Sequence, residues 1–167
     1  MENQIVYDAL MEAFAGESQA NRKYLAFAAK ADEEGYPQAA RLFRAIAHAE
    51  TIHAFNHFRI AGEVRSTAEN LETAAEGEKY EHTEMYPPMI ETALNAEEKK
   101  AYKTLHWANE VEKVHEVLYR DALATLSEPA EAFDYYICPF CGYTEKRSAP
   151  EKCPVCGALA KQFIVVN

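Results

Sequence analysis

Four cysteines and a set of glutamates and histidines carry the chemistry of this 167-residue chain. The cysteines form two C-P-x-C-G runs, at 138–142 and 153–157, with eleven residues between Cys141 and Cys153. Each run turns two thiolates toward a common point, and the glycine after the second cysteine allows a tight turn that aims N–H groups at sulfur. Four thiolates presented this way make a tetrahedral S4 site for iron or zinc, and the spacing does not choose between them. Disulfides are the competing assignment, but paired C-x-x-C spacing in a chain without a visible secretory signal argues against them. Cys138, Cys141, Cys153 and Cys156 are therefore the expected ligands of one ion. The segment 131–167 has only 37 residues. Below about 40 residues a domain usually needs a metal or a cross-link, so metal binding here would also be folding energy.

The second constellation is acidic. E-x-x-H occurs at Glu50–His53 and again at Glu112–His115, and E-x-x-E occurs at Glu81–Glu84. Residues at i and i+3 of a helix project from one side, so both can reach a single ion. One E-x-x-H pair is expected by chance in a chain this rich in glutamate, so the weight comes from the full set. Glu17 falls on an apolar stripe with Leu10 and Tyr24, and Glu50, His53 and His57 share a face with Ile46. Glu112 and His115 share a face with Leu105, Ala108 and Tyr119. A Glu from each of two helices and E-x-x-H from each of the other two is the di-iron carboxylate pattern. Glu84 is then a surplus carboxylate. Five carboxylates facing one core need a cation. No Lys or Arg lies on these stripes, and two divalent ions nearly balance the charge.

Other candidates carry less. His57 reads as a core histidine rather than a ligand, His82 points to another face, and His48 and His106 lie off the metal stripes. Glu12, Glu110 and Glu116 fit solvated faces. Tyr24 and Tyr86 are candidates to hydrogen-bond the ligand carboxylates, with aromatic packing the competing role.

Elements must hold these groups in place. Apolar or small residues at Val6, Leu10, Ala13, Ala20, Tyr24 and Phe27 follow a 3.6-residue period and predict a first helix over 3–31. A second runs from Pro37 to Ala61 and stops at Gly62. A third spans about 67–94, with Pro87 and Pro88 expected to distort it, and a fourth spans about 96–126. Short breaks imply two helical hairpins, hence an all-α four-helix bundle over 1–130. A Pro closes the pattern near Ser127–Pro129. In 131–167, Tyr135–Ile137 and Phe163–Val166 read as strands pairing around the cysteine site, making a small zinc-ribbon-like β domain.

Charge follows the same division. Acids Glu131, Asp134, Glu145 and Glu151 cancel bases Lys146, Arg147, Lys152 and Lys161, so residues 1–130 carry the whole net charge of −10. A chain this acidic repels nucleic acid and anionic lipid, and neither is an expected partner. No apolar run approaches the roughly 20 residues of a membrane helix. No Lys or Arg precedes Arg22, so the expected compartment is the cytoplasm.

An N-terminal di-iron pattern followed by two C-P-x-C-G runs resembles the rubrerythrin family. The likeness spans nearly the whole chain: A-F-A-G-E-S-Q-A at 13–20, L-F-R-A-I-A-H-A-E-T-I-H at 42–53, E-G-E-K-Y-E-H-T-E-M-Y-P at 76–87, and both cysteine runs. It implies a ferritin-like bundle followed by a rubredoxin-like domain, with iron at the four cysteines. It further implies two iron ions held by Glu17, Glu50, His53, Glu81, Glu84, Glu112 and His115. The implied activity is peroxidase: reduction of hydrogen peroxide to water in oxidative-stress defence. Electrons would come ultimately from NAD(P)H through a separate reductase or rubredoxin and pass through the Fe(Cys)4 centre. One iron would move between His53 in the reduced form and Glu84 in the oxidised form. The resemblance also implies a head-to-tail homodimer, with exchange of helical hairpins through 62–66 as a variant. Two other readings stay open on the sequence: a ferroxidase or iron-handling protein using oxygen, and a zinc ribbon on a helical scaffold serving as an interaction module.

Overall fold

The computed structural model describes residues 3–128 and 132–167. It divides into two compact units, one ending at Arg65 and the other beginning at Ser66. The expected boundary at 130/131 and the Pro129 end of the expected linker lie outside the described residues. The first unit holds α1 (Gln4–Glu33) and α2 (Pro37–Ala61). The second holds α3 (Thr67–Tyr80), a π-helical turn (Glu81–Met85), α4 (Tyr86–Asn95) and α5 (Lys99–Ala124). It ends in a sheet of β1 (Tyr135–Ile137), β2 (Thr144–Lys146) and β3 (Ile164–Val166). The fold is thus a set of long helices followed by a small antiparallel domain carrying the cysteines.

Local chemistry accounts for the helix ends. The Asn3 side chain caps α1 by accepting from the Val6 amide at 3.2 Å. α2 starts on Pro37, whose missing N–H costs nothing at a first turn. It ends where Gly62 takes the left-handed conformation at φ +86°. Ser66 and Glu69 form a reciprocal capping box at the start of α3. The third expected helix is interrupted by the π turn. Pro87 and Pro88 lack N–H groups, and their rings crowd the carbonyls four residues back. The ladder opens there, and the Tyr86 amide bonds the Glu81 carbonyl five residues upstream.

Packing within the first unit uses small residues. Ala40, Ala47, Ala54 and Ala61, one every seven residues along α2, are all buried, as are Asn21, Ala28 and Ala31 on α1. Asn21 fixes the register of the hairpin: its amide donates to the Ala47 carbonyl at 2.6 Å and to the Thr51 hydroxyl at 2.8 Å. Large apolar groups on these helices, including Phe27, Leu42, Ile46, Phe55 and Ile60, are exposed. The expected inward stripe of α1 is therefore only partly buried, and Val6 and Phe27 face outward.

In the second unit Val111 of α5 is buried beneath the small domain, in one cluster with Cys138, Tyr143 and Cys153. Val114, Val155 and Phe163 pack around them. Lys146 of β2 adds an ion pair with Asp121 of α5 at 2.8 Å. β1 is central and pairs antiparallel with both neighbours, Tyr136 opposite Glu145 in β2 and Val165 in β3.

Candidate metal centres

The two cysteine knuckles are built alike. In the first, the Gly142 amide donates to the Cys138 carbonyl at 2.9 Å and the Cys138 amide to the Tyr143 carbonyl at 2.8 Å. In the second, Gly157 donates to Cys153 at 2.9 Å and Cys153 to Ala158 at 2.7 Å. Gly142 and Gly157 both adopt positive φ, +85° and +80°, the conformation that closes each turn. The four Sγ atoms lie within 4.8 Å of one another, with Cys138 to Cys156 at 3.4 Å and Cys141 to Cys153 at 3.5 Å. A tetrahedron of sulfurs about 2.3 Å from a central ion has edges of about 3.8 Å, so four thiolates in this arrangement fit iron or zinc. Burial pushes the Cys141 and Cys156 thiols up. At Cys138 burial acts the same way, but backbone N–H groups of Phe140 and Cys141 outweigh it and the thiol is lowered. A bound cation would hold all four ionised.

The carboxylates and histidines form two trios, one in each unit. On α1 and α2, His53 Nδ1 lies 2.8 Å from Glu50 Oε2 and 3.9 Å from Glu17 Oε1. On α5 and α3, His115 Nδ1 lies 2.7 Å from Glu112 Oε2 and 3.8 Å from Glu78 Oε1. Each trio offers one imidazole and two carboxylates within 4.8 Å, a donor set suited to a divalent iron. Asn21 holds α1 against α2 one turn from Glu17.

The sequence pattern predicts Glu81 and Glu84 as the helix-three pair. The structure instead brings Glu78 to Glu112 and His115, while Glu84 is exposed and outside the trio. Glu81 lies near by: burial raises its pKa, the Glu112 charge raises it further, and His115 opposes the shift. Glu78 is pushed up to about 7, first by burial and then by the Glu112 charge. Burial lowers the His115 imidazole, but Glu112, Glu78 and the Gly142 carbonyl more than offset this, leaving it raised.

The flanking residues sort by the same distances. Tyr86 has its hydroxyl pKa raised by burial and then by Glu112, Glu81 and Glu78, so it stands beside the carboxylates. Tyr119 is raised by burial, Glu78 and Glu112 and was not anticipated as a neighbour. Tyr24 instead packs among aromatic rings, 6.3 Å from both Phe27 and Phe43. His82 pairs with Glu116 at 2.7 Å, and Arg120 bridges Glu116 to Glu76 on α3. Glu116 is thus a partner in a network clamping α5 to α3 rather than a solvated side chain. His106 stacks on Tyr102 at 5.5 Å, His48 is exposed, and His57 is half-buried.

His115 has one contact with no counterpart in the other trio. Its Nε2 lies 3.0 Å from the Thr144 hydroxyl of β2, and that hydroxyl lies 3.0 Å from the Gly142 carbonyl in the first knuckle. A cavity of about 430 Å³, lined by groups including Leu71, Leu118, Ile137 and Val166, opens beside this pair.

No helix among the described residues is long and apolar enough to cross a membrane. Comparison with known proteins agrees with the geometry. The rubrerythrin family model matches residues 8–123, and the model for the rubrerythrin rubredoxin-like domain matches 136–164. Rubrerythrin-2 of Clostridium acetobutylicum is 38% identical over 98% of this chain and 97% of its own length. Nigerythrin of Nitratidesulfovibrio vulgaris is 37% identical over 88% of this chain and 79% of its own. Among solved structures, fully reduced, all-ferrous nigerythrin superposes with a TM-score of 0.60 at 35% identity, covering 96% of this chain and 86% of that one. The chain belongs to the rubrerythrin family, and the family's cofactors, a di-iron carboxylate site and an iron bound by four cysteines, suit the two kinds of donor set found here.

Proposed function

We propose that this chain reduces hydrogen peroxide to water, with Glu17, Glu50, His53, Glu78, Glu81, Glu112 and His115 holding two iron ions and Cys138, Cys141, Cys153 and Cys156 holding a third. The carrying observation is the pair of matched trios, one of them hydrogen-bonded through Thr144 to a cysteine knuckle. When bound, two ferrous ions can supply the two electrons that cleavage of one peroxide O–O bond consumes.

The protein's own groups supply the rest. Reduction of one peroxide to two waters also takes up two protons. Without metal, burial and the Glu112 charge push Glu78 up to about 7 and raise Glu81, so a bound cation would displace the proton that Glu78 holds. Tyr86 and Tyr119 stay protonated beside them and can hydrogen-bond the carboxylates. Val111, Val155 and Phe163 pack apolar surface around the cysteine cluster and limit water at sulfur. The surplus carboxylate expected at Glu84 is assigned in this reading to the Glu78–Glu81 pair. His53, 54% exposed against 24% for His115, is the histidine free to leave and rejoin an ion.

Electrons would reach the cysteine site from a rubredoxin or an NAD(P)H-dependent reductase. The exposed Phe27, Leu42, Ile46, Phe55 and Ile60 support a homodimer, because a second copy would cover apolar surface that the chain leaves open. Light scattering should report twice the chain mass.

The function is tested by the visible spectrum of iron-loaded protein, reduced without oxygen and then given stoichiometric peroxide. The ferric-thiolate colour should return within seconds and much faster than with equimolar oxygen. Equal rates would favour iron oxidation by oxygen, and protein that never shows the colour would favour a zinc ribbon. Either result overturns the peroxidase reading.

A further inference from the structure

We propose that Tyr143 is a positioning residue for the four-cysteine site: its ring, held down by a hydroxyl–carboxylate bond to Glu145, covers Cys138 and Cys153 and sets how fast the site releases its ion. The inference rests on the cysteines as metal ligands and is independent of the peroxidase reading. It assigns a role to two residues outside the ligand set.

The two knuckles differ at one equivalent position. Cys138 donates its amide to the Tyr143 carbonyl at 2.8 Å, and Cys153 donates to the Ala158 carbonyl at 2.7 Å. The turn needs only a backbone carbonyl there, which alanine supplies as well as tyrosine. The Tyr143 side chain therefore serves something other than closing the turn. It lies in one buried cluster with Val111 of α5 and with the first cysteine of each knuckle, Cys138 and Cys153. These two cysteines are 1% and 3% exposed, whereas Cys141 and Cys156 are only half-buried. A ring packed on the buried pair keeps water and chelators from two of the four sulfurs.

The ring carries its own anchor. A buried phenol needs a partner for its hydroxyl, and Tyr143 donates to Glu145 Oε2 at 2.6 Å, a short charge-assisted bond. The second oxygen of Glu145 accepts the Lys146 amide at 3.1 Å, so the carboxylate is itself held. Residues two apart in extended chain project from one face, which brings Tyr143 and Glu145 together. Thr144 and Lys146 take the other face and reach α5 at His115, 3.0 Å away, and Asp121, 2.8 Å away. β2 is thus pinned to α5 by one face while the other holds the ring. The second knuckle has no such anchor, because Ala158 ends at its methyl group.

The test follows release of cobalt(II) from the full chain to excess EDTA. Release is read at the cobalt–thiolate charge-transfer bands, so only the cysteine site reports. Tyr143→Phe keeps the ring and loses its anchor, Glu145→Ala removes the other half of the bond, and Glu145→Gln keeps an acceptor. Tyr143→Phe and Glu145→Ala should each release cobalt about tenfold faster than wild type, the lower end of the range for groups that support a ligand shell. The double variant should be no faster than the faster single one, because both changes remove the same bond. Glu145→Gln should restore the wild-type rate to within about threefold. Matching cobalt–thiolate spectra before EDTA is added would show that each variant forms the site. Wild-type release from Tyr143→Phe, effects that add in the double variant, or failure of Glu145→Gln to restore the rate would overturn the assignment and leave Tyr143 with packing alone. If Tyr143→Phe does not load cobalt, Glu145→Ala against Glu145→Gln decides: equal rates overturn the proposal and a tenfold difference supports it. Peroxide enters at no point, so failure of the peroxidase reading and failure of this one are separate results.

Discussion

The two trios are nearly the same inside and different outside. In both, a histidine Nδ1 sits beside the glutamate three residues before it and about an ångström farther from a glutamate on another helix. The surroundings diverge. His115 is mostly buried, bonded at its far nitrogen, and carried on a helix whose Val111 lies beneath the cysteine domain. His53 stands half in solvent on a hairpin whose own core is alanine and asparagine. Equal ligands thus sit on unequal supports, one histidine mostly buried and bonded at both ring nitrogens, the other half exposed and bonded at Nδ1. That asymmetry is what a site needs if one ion must stay while the other changes partners between oxidation states.

The largest effects should come from removing a glutamate that both trios have in equivalent places. Glu112→Ala and Glu50→Ala should each lower the peroxide rate by roughly 100-fold or more, at or beyond the upper end of the range for groups that merely orient ligands. A variant that keeps wild-type turnover and iron content would remove its trio from the site. Next in size is the choice of carboxylate on helix three. Glu78→Ala should reduce peroxide turnover by about tenfold or more, whereas Glu84→Ala should stay within about twofold. The reverse order would return Glu84 to the ligand set.

Supports can be compared by stability. Val111→Ala should cost about 2 kcal/mol in chemical denaturation, because a buried branched side chain is lost under the cysteine domain. Ala47→Gly, in the hairpin, should cost about 1 kcal/mol through helix propensity. Equal costs would blur the contrast between the two supports.

The smallest expected effect is on pH dependence. A glutamate near 4.5 in the unfolded chain and pushed up to about 7 in the fold keeps its proton longer when folded. Between those values the native state binds more protons than the unfolded state, so stability of metal-free protein falls as pH rises and the loss is complete above about 7. Denaturation at pH 5 and pH 8 should show the fall, and Glu78→Gln should flatten it. Metal loading should also flatten it, since the ion replaces the proton. A metal-free wild type that gains stability over this range would count against a strained Glu78.

Much of this is legible in the sequence. Pro37, Gly62 and the Ser66–Glu69 neighbourhood are strong punctuation, so the helix bounds fall within a few residues of those expected. β1 and β3 were visible as apolar runs, but β2 was not, because Thr144, Glu145 and Lys146 have no alternation to read. The cysteine quartet was evident from its repeated motif. Glu78 could have been found: Glu78, Glu81 and Glu84 stand at three-residue intervals, and a ladder widened by the two prolines shifts the phase of everything after Glu81. His115 and Thr144 are 29 residues apart, and no local pattern links them. Neither does periodicity reveal that the apolar side of the first hairpin stays exposed, because a stripe shows that a face is apolar and not what covers it.

The central proposal is that both trios contribute ligands to the di-iron site that the family carries. Electron paramagnetic resonance of iron-loaded protein, oxidised by one electron from the fully ferrous state, tests it directly. The account predicts the signal of a magnetically coupled ferrous–ferric pair, lost in both Glu50→Ala and Glu112→Ala. Signals of isolated ferric ions alone, or a coupled signal that survives loss of either glutamate, would contradict it.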